Sequence, residues 1–174
     1  MPGVGLSADG HAQAARLAEH FAGRPVAAIL SSPQRRAQET AAPIAERLGL
    51  PVSTEPGLDE IDFGEWSGQN FNNLDANPRW HAWNRHRSLA ACPGGETMLQ
   101  AQSRAIDCLR RCAASSDGAE IVLVSHQDLL KAILAHILGL SLDHLDRFAL
   151  DPASRSTLAL DVTSATVLAL NLPP

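Results

Sequence analysis

Val26-Ala-Ala-Ile-Leu30 runs without a break into Ser31-Ser32-Pro33-Gln34-Arg35-Arg36-Ala37. The first five residues form a short, continuous apolar run, the pattern of a parallel strand covered on both faces. Ser32 then reads as the cap of a helix with Pro33 at its first position, where a missing N–H costs nothing. Ala37, Thr40, Ala41, Ile44, Ala45 and Leu48 draw that helix's buried stripe, and Gly49 ends it. Upstream, Ser7 reads as an N-cap, while Ala14, Leu17, Ala18 and Phe21 predict a helix over residues 8–22 that stops at Gly23. Helix, strand and helix in succession are the rhythm of an α/β fold.

From residue 51 to 95 this rhythm dissolves into Pro, Gly, Asn and acidic residues, with Trp66, Trp80 and Trp83 among them. A stretch so long without periodicity is usually functional or a subdomain whose pattern is poorly read. Order returns at Gly94-Gly95-Glu96, after which Met98, Gln102, Ala105, Leu109 and Cys112 mark one face of a long helix. Ile121-Val-Leu-Val-Ser125 is the strongest strand signal in the chain, and residues 127–138 form a broad apolar helix closed by Gly139. Thr157 to Val162 and Thr166 to Leu172 both alternate and predict a hairpin at a sheet edge.

The chain has 174 residues with a formal charge of −5, which argues against a general nucleic-acid or anionic-membrane binder. An anion site must therefore be local. There is no apolar run long enough to span a bilayer and no basic-then-apolar secretory leader, so a soluble, cytoplasmic protein is expected. Cys92, Cys108 and Cys112 are odd in number, and the last two lie one helical turn apart, which favours buried thiols over a disulfide framework or metal site.

Three segments carry candidate chemistry. Arg35 and Arg36 fall in the first turn of a helix that follows a strand, where free amides, the helix dipole and bidentate guanidinium groups favour phosphate. A solvated polar face is the plain alternative; arginine in a first turn works against the dipole, which tilts the balance toward function. Val124-Ser125-His126-Gln127-Asp128 places His126 at the carboxyl end of the best strand, the ligand edge of open α/β sheets. A cationic imidazole there suits a transferring phosphoryl group, and a histidine that merely caps the helix is an equal reading on position alone. Leu58-Asp-Glu60-Ile-Asp-Phe-Gly64-Glu-Trp66 holds four carboxylates in seven residues, one of which can be a general acid if its pKa is raised. Taken alone, that segment reads as an acidic surface loop. His81 and His86 do not face one way on a helix, which speaks against a metal site.

In order along the chain, Ser31-Ser-Pro-Gln-Arg-Arg-Ala-Gln-Glu-Thr-Ala41, Leu58-Asp-Glu-Ile-Asp-Phe-Gly-Glu-Trp-Ser-Gly68, Pro93-Gly-Gly-Glu-Thr97 with Arg104, and Val122-Leu-Val-Ser-His126 resemble the histidine phosphatase superfamily. The resemblance covers essentially all 174 residues. It implies a phosphoglycerate mutase-like, three-layer α/β/α sandwich with a mostly parallel sheet, a single domain over 1–174 with residues 61–95 as a cap-like insertion over the pocket. It also implies phosphomonoester hydrolysis through a phosphohistidine, without metal or cofactor. Arg36 matches the pocket arginine, Glu60 the acid that protonates the leaving oxygen, and His126 the second pocket histidine, which binds the phosphoryl group. Arg35 is a bystander, and Glu96 with Arg104 matches a motif more structural than catalytic.

Two departures shape the expectation. The family's nucleophile is a histidine in an Arg-His-Gly motif ending the first strand, and that tripeptide does not occur in this sequence. Met1-Pro-Gly-Val-Gly-Leu-Ser7 resembles the loop after that strand, so the first strand is expected to be missing through a start set downstream, with little or no activity in the chain as given. A non-catalytic phosphate-binding or regulatory relative is the alternative. The exposed edge that a missing strand leaves predicts a homodimer or an N-terminal segment folded back. The second departure is Gln127 in place of the family's glycine, expected to narrow the pocket or alter the neighbouring amide.

Overall fold

The computed structural model describes residues 3–161 and 163–174. Its elements run α1 (Ala8–His20), β1 (Val26–Ser31), α2 (Arg35–Leu48), β2 (Val52–Thr54), α3 (Phe71–Asp75), α4 (Pro78–Arg85), α5 (Met98–Ser115), β3 (Glu120–Val124), α6 (Gln127–Leu138), β4 (Arg155–Leu160) and β5 (Ala165–Leu172). β1 is central and pairs in parallel with both neighbours, Ile29 lying opposite Val52 and Val122.

Alternation along the strands sends side chains to opposite faces. Ile29, Val122 and Val124 pack under Leu17, Ala18 and Phe21 of the α1 segment and Ala41 and Ile44 of α2. Leu30, Ile121 and Leu123 meet Leu58, Cys108 and Cys112 on the other face, against α5. Helices on both sides of a parallel sheet give the three-layer α/β/α sandwich. Beside α5, α6 contributes Leu129, Ala132 and Ile133 to a cluster with Ala101, Ala105 and Leu109. No helix among the described residues is long and apolar enough to cross a membrane.

The helix ends follow local chemistry. Ser7 Oγ accepts from the Gly10 amide, Thr97 and Gln100 form a reciprocal capping box, and Gly49 and Gly139 close α2 and α6 in the left-handed conformation at φ +66° and +67°. Two expectations need correction, and one segment left open gains elements. α2 begins at Arg35, two residues past Pro33, because the Gln34 amide is the one backbone N–H that the Ser32 hydroxyl accepts, and the helical turns start from the Gln34 carbonyl. The segment 51–95, without periodicity in the sequence, holds elements of its own, β2, α3 and α4, with Asn77 capping α4 and Pro78 in its first turn. The hairpin of β4 and β5 forms its own two-stranded sheet instead of the edge of the parallel one, because its apolar side chain Leu158 packs on the α5–α6 cluster and β5 rests on α6. Val162, the expected end of its first strand, lies outside the described residues. Among those residues the outer edge of β3 carries no partner strand.

Candidate functional site

The site forms where β1 and β3 release the chain. Arg36 stands in the first turn of α2, and His126 occupies the N-cap position of α6 in extended conformation, φ −120° and ψ 155°. His126 makes no side-chain cap bond, so of the two readings of this histidine the cap is the one that fails. Its ring turns toward the loop after β2. There Glu60 Oε2 lies 3.8 Å from His126 Nδ1 and 3.7 Å from an Arg36 terminal nitrogen. Residues 36, 60 and 126 thus meet at one carboxylate oxygen.

The Glu60 loop is held from behind. Arg104 donates to the carbonyls of Gly57 and Glu60 at 3.1 and 3.0 Å, and pairs through two nitrogens with both Glu96 oxygens at 2.9 and 3.0 Å. Glu96 Oε2 accepts the Asp62 amide, and Ser125 Oγ donates to the Leu58 carbonyl at 2.7 Å. Glu96 and Arg104 therefore act on backbone, and Ser125 is committed to a structural bond. Of the four acidic residues in the segment, Asp62 caps the Gly64 amide and Asp59 caps that of Glu60. Glu60 is the one paired with both Arg36 and His126.

Two glycines let the loops 62–64 and 93–96 lie backbone on backbone. A Cβ at Gly64 would collide with the Pro93 carbonyl oxygen and stand 2.5 Å from the Gly95 nitrogen, and φ there is +53°. A Cβ at Gly95 would collide with the Asp62 carbonyl. Gly64→Ala is expected to cost about 3 kcal/mol, from overpacking plus the left-handed backbone. An unchanged urea midpoint would contradict this.

Electrostatics favour neutral partners. Burial, then the Asp128 charge, raises the Glu60 carboxyl to about 7. Burial, then the Arg36 charge, lowers His126 to about 4. The expected cationic imidazole is corrected accordingly: His126 is neutral at neutral pH, because its ring is almost wholly enclosed. Asp128 was missed by the sequence reading; its position in the first turn of α6, two residues after His126, was the available signal. It pairs with Arg87 at 2.7 Å, whose guanidinium lies 4.2 Å above the Trp83 ring. Trp83 is buried in a stack with Trp80, edged by Trp66 and Phe63. These contacts tie α4 to the start of α6.

Arg35 stays apart, paired with Glu39 at 2.7 Å on the α2 surface. Gln127 is exposed and donates to the Leu150 carbonyl at 2.7 Å, so its side chain braces the 148–150 loop instead of narrowing the site. The three cysteines are free and buried, and burial pushes Cys92 and Cys108 up to about 12. A cavity lined by Ile106, Leu109, His136 and Leu160 lies toward the far end of α6 and includes none of Arg36, Glu60 and His126.

Known proteins share this arrangement of elements. The chain is similar to phosphoserine phosphatase 1 of Hydrogenobacter thermophilus, 30% identical over 169 residues that cover 96% of this chain and 80% of the relative. Its fold matches Bacillus stearothermophilus YhfR with a TM-score of 0.90 at 25% identity, over 97% of this chain and 85% of the other. It also matches a mycobacterial glucosyl-3-phosphoglycerate phosphatase in complex with inorganic phosphate, with a TM-score of 0.85 at 28% identity over 97% and 87% of the two chains. The profile of the histidine phosphatase superfamily (branch 1) matches residues 1–173. A parallel sheet with Arg36 and His126 at its carboxyl edge, in a chain matched almost end to end, belongs to that superfamily.

Proposed function

We propose that Arg36, Glu60 and His126 bind the phosphoryl group of a small phosphomonoester and support its hydrolysis through a phosphohistidine whose nucleophile is carried on a further strand. The observation that carries this reading is the meeting of a guanidinium, an imidazole and a carboxyl at Glu60 Oε2, within 3.7 and 3.8 Å. Arg36 supplies permanent positive charge for the phosphate oxygens. Glu60, protonated near neutrality, supplies the proton for the leaving oxygen. His126 orients the phosphoryl group and takes up charge as it develops. Residues 61–95 act as a cap over the pocket in this reading, supported by the Arg87–Asp128 bridge that joins the segment to α6. Relatives named as phosphoserine and glucosyl-3-phosphoglycerate phosphatases support phosphomonoesters as the substrate class. Three unpaired thiols support a cytoplasmic location.

The 174 residues by themselves are expected to bind inorganic phosphate weakly. Arg36→Ala should weaken that binding at least about tenfold, the worth of one charged hydrogen bond. Arg35→Ala, an exposed residue paired elsewhere, should leave it unchanged. Calorimetric titration in which both variants match the parent protein would remove the basis for the assignment.

A further inference from the structure

Ser32 is completely buried, and its hydroxyl is used to capacity. It donates to Asp59 Oδ1 at 3.1 Å, accepts the Gln34 amide at 3.1 Å and lies 2.7 Å from His126 Nε2. A serine hydroxyl has one proton and two lone pairs. With the proton given to Asp59 and one lone pair taken by Gln34, the remaining lone pair can only accept. His126 Nε2 must therefore be the donor. The opposite assignment, in which Ser32 donates to the ring, would set an Asp59 oxygen against a hydroxyl lone pair with no hydrogen between them. Asp59 Oδ1 already accepts the Glu60 amide at 2.8 Å, so its acceptor role is fixed from a second side.

We propose that Asp59 and Ser32 are positioning residues which hold His126 as the Nε2–H tautomer and turn Nδ1 toward Glu60 and an incoming phosphate oxygen. The inference deepens the phosphate-site reading above and rests on it for the identity of the ligand. It gives the imidazole a defined working nitrogen. A neutral ring so held presents a lone pair, at Nδ1, to the Glu60 carboxyl 3.8 Å away. When a phosphate monoanion arrives, its acidic proton can pass to Nδ1, leaving the dianion and making Nδ1 a second donor, while the Asp59 carboxylate stabilises the resulting imidazolium through the Ser32 hydroxyl. Ser32 has the sequence signature of a helix cap, yet most of its bonding capacity goes to this line of side chains.

The test is long-range proton–nitrogen NMR of the 174-residue protein labelled at histidine nitrogen, near pH 7. His126 should show a protonated Nε2, an unprotonated Nδ1 and an Nε2 proton protected from solvent exchange. Ser32→Ala should lose that protected proton and weaken inorganic phosphate binding about tenfold, as expected for one hydrogen bond to a charged group. Ser32→Thr should retain both. Asp59→Leu frees the Ser32 proton to turn toward Nε2, and the ring should move toward the Nδ1–H tautomer. A parent spectrum with the proton on Nδ1 overturns the proposal, as does a Ser32→Ala spectrum with the protected Nε2 proton intact. If Ser32→Ala fails to fold, the parent and Asp59→Leu spectra decide alone. Absence of phosphate binding in the parent protein would instead sink the functional reading, since the tautomer is read without ligand.

Discussion

Joined to a Val/Leu-rich strand ending in Arg-His-Gly, the protein is expected to hydrolyse p-nitrophenyl phosphate roughly a thousandfold or more faster than the 174 residues alone. Covalent phosphoryl transfer needs a nucleophile held in line with the leaving oxygen. The described residues have no candidate poised for that work. Ser31 donates to the Ser32 carbonyl, Ser32 to Asp59 and Ser125 to the Leu58 carbonyl. The three thiols are buried, two of them held at about 12. His11 lies on the α1 surface, 3.9 Å from Glu39, and His20 stacks edge-on to Phe21. The outer edge of β3 carries no strand among the described residues, and one added there in parallel would end beside His126. Rapid turnover by the 174 residues, abolished by His126→Ala, would show a nucleophile supplied from within. Background rates after the strand is added would favour the non-catalytic, phosphate-binding alternative.

Most of the α/β/α framework was legible in the sequence, for a physical reason. β1, β3, α2, α5 and α6 are buried along continuous or periodic apolar faces, and such faces leave a local trace. α4 was lost because its apolar content is little more than two rings that stack on each other, Trp80 and Trp83 with centroids 5.3 Å apart, too few to draw a stripe along a helix. Its one local signal was Asn77-Pro78. β2, three residues at the sheet edge and mostly exposed, has no pattern to read. The hairpin's turn was readable but its partner was not, since Leu158 chooses the α5–α6 cluster through tertiary packing.

The candidate site was less visible than the fold. Arg36 and His126 could be placed at one edge of a sheet from their positions after strands. Singling out Glu60 from its acidic neighbours needed the family resemblance, because nothing local distinguishes it from Asp59 or Asp62. What distinguishes it is burial against groups distant in the chain. Ser32 shows the same limit: a serine before proline reads as a cap, while its partner His126 lies 94 residues away. Charge state was the other casualty. A histidine at a sheet's carboxyl edge suggests a cation until its enclosure is known, and enclosure here brings it down to about 4.

In the strand-completed protein, Glu60→Gln is expected to lower kcat/KM for an alkyl phosphomonoester such as phosphoserine by about a hundredfold or more, the range of general acid catalysis. The effect should nearly vanish with p-nitrophenyl phosphate, whose leaving group departs without a proton. For the alkyl ester, kcat/KM should fall about tenfold per pH unit above 7. The sign follows from the raised carboxyl: Glu60 is protonated and able to donate below about 7, and ionises above it, where it also repels the dianionic ester. His126, lowered to about 4, adds no loss on the acid side until well below that range. The neighbours then move the alkaline limb in opposite directions. Asp128→Asn removes a like charge, lowers the Glu60 pKa and brings the limb to lower pH. Arg87→Met removes the partner that sits 2.7 Å from Asp128, leaves that charge uncompensated and carries the limb to higher pH. Equal losses with both substrates, or a limb unmoved by either neighbour, would mean that Glu60 shapes the pocket without donating the proton.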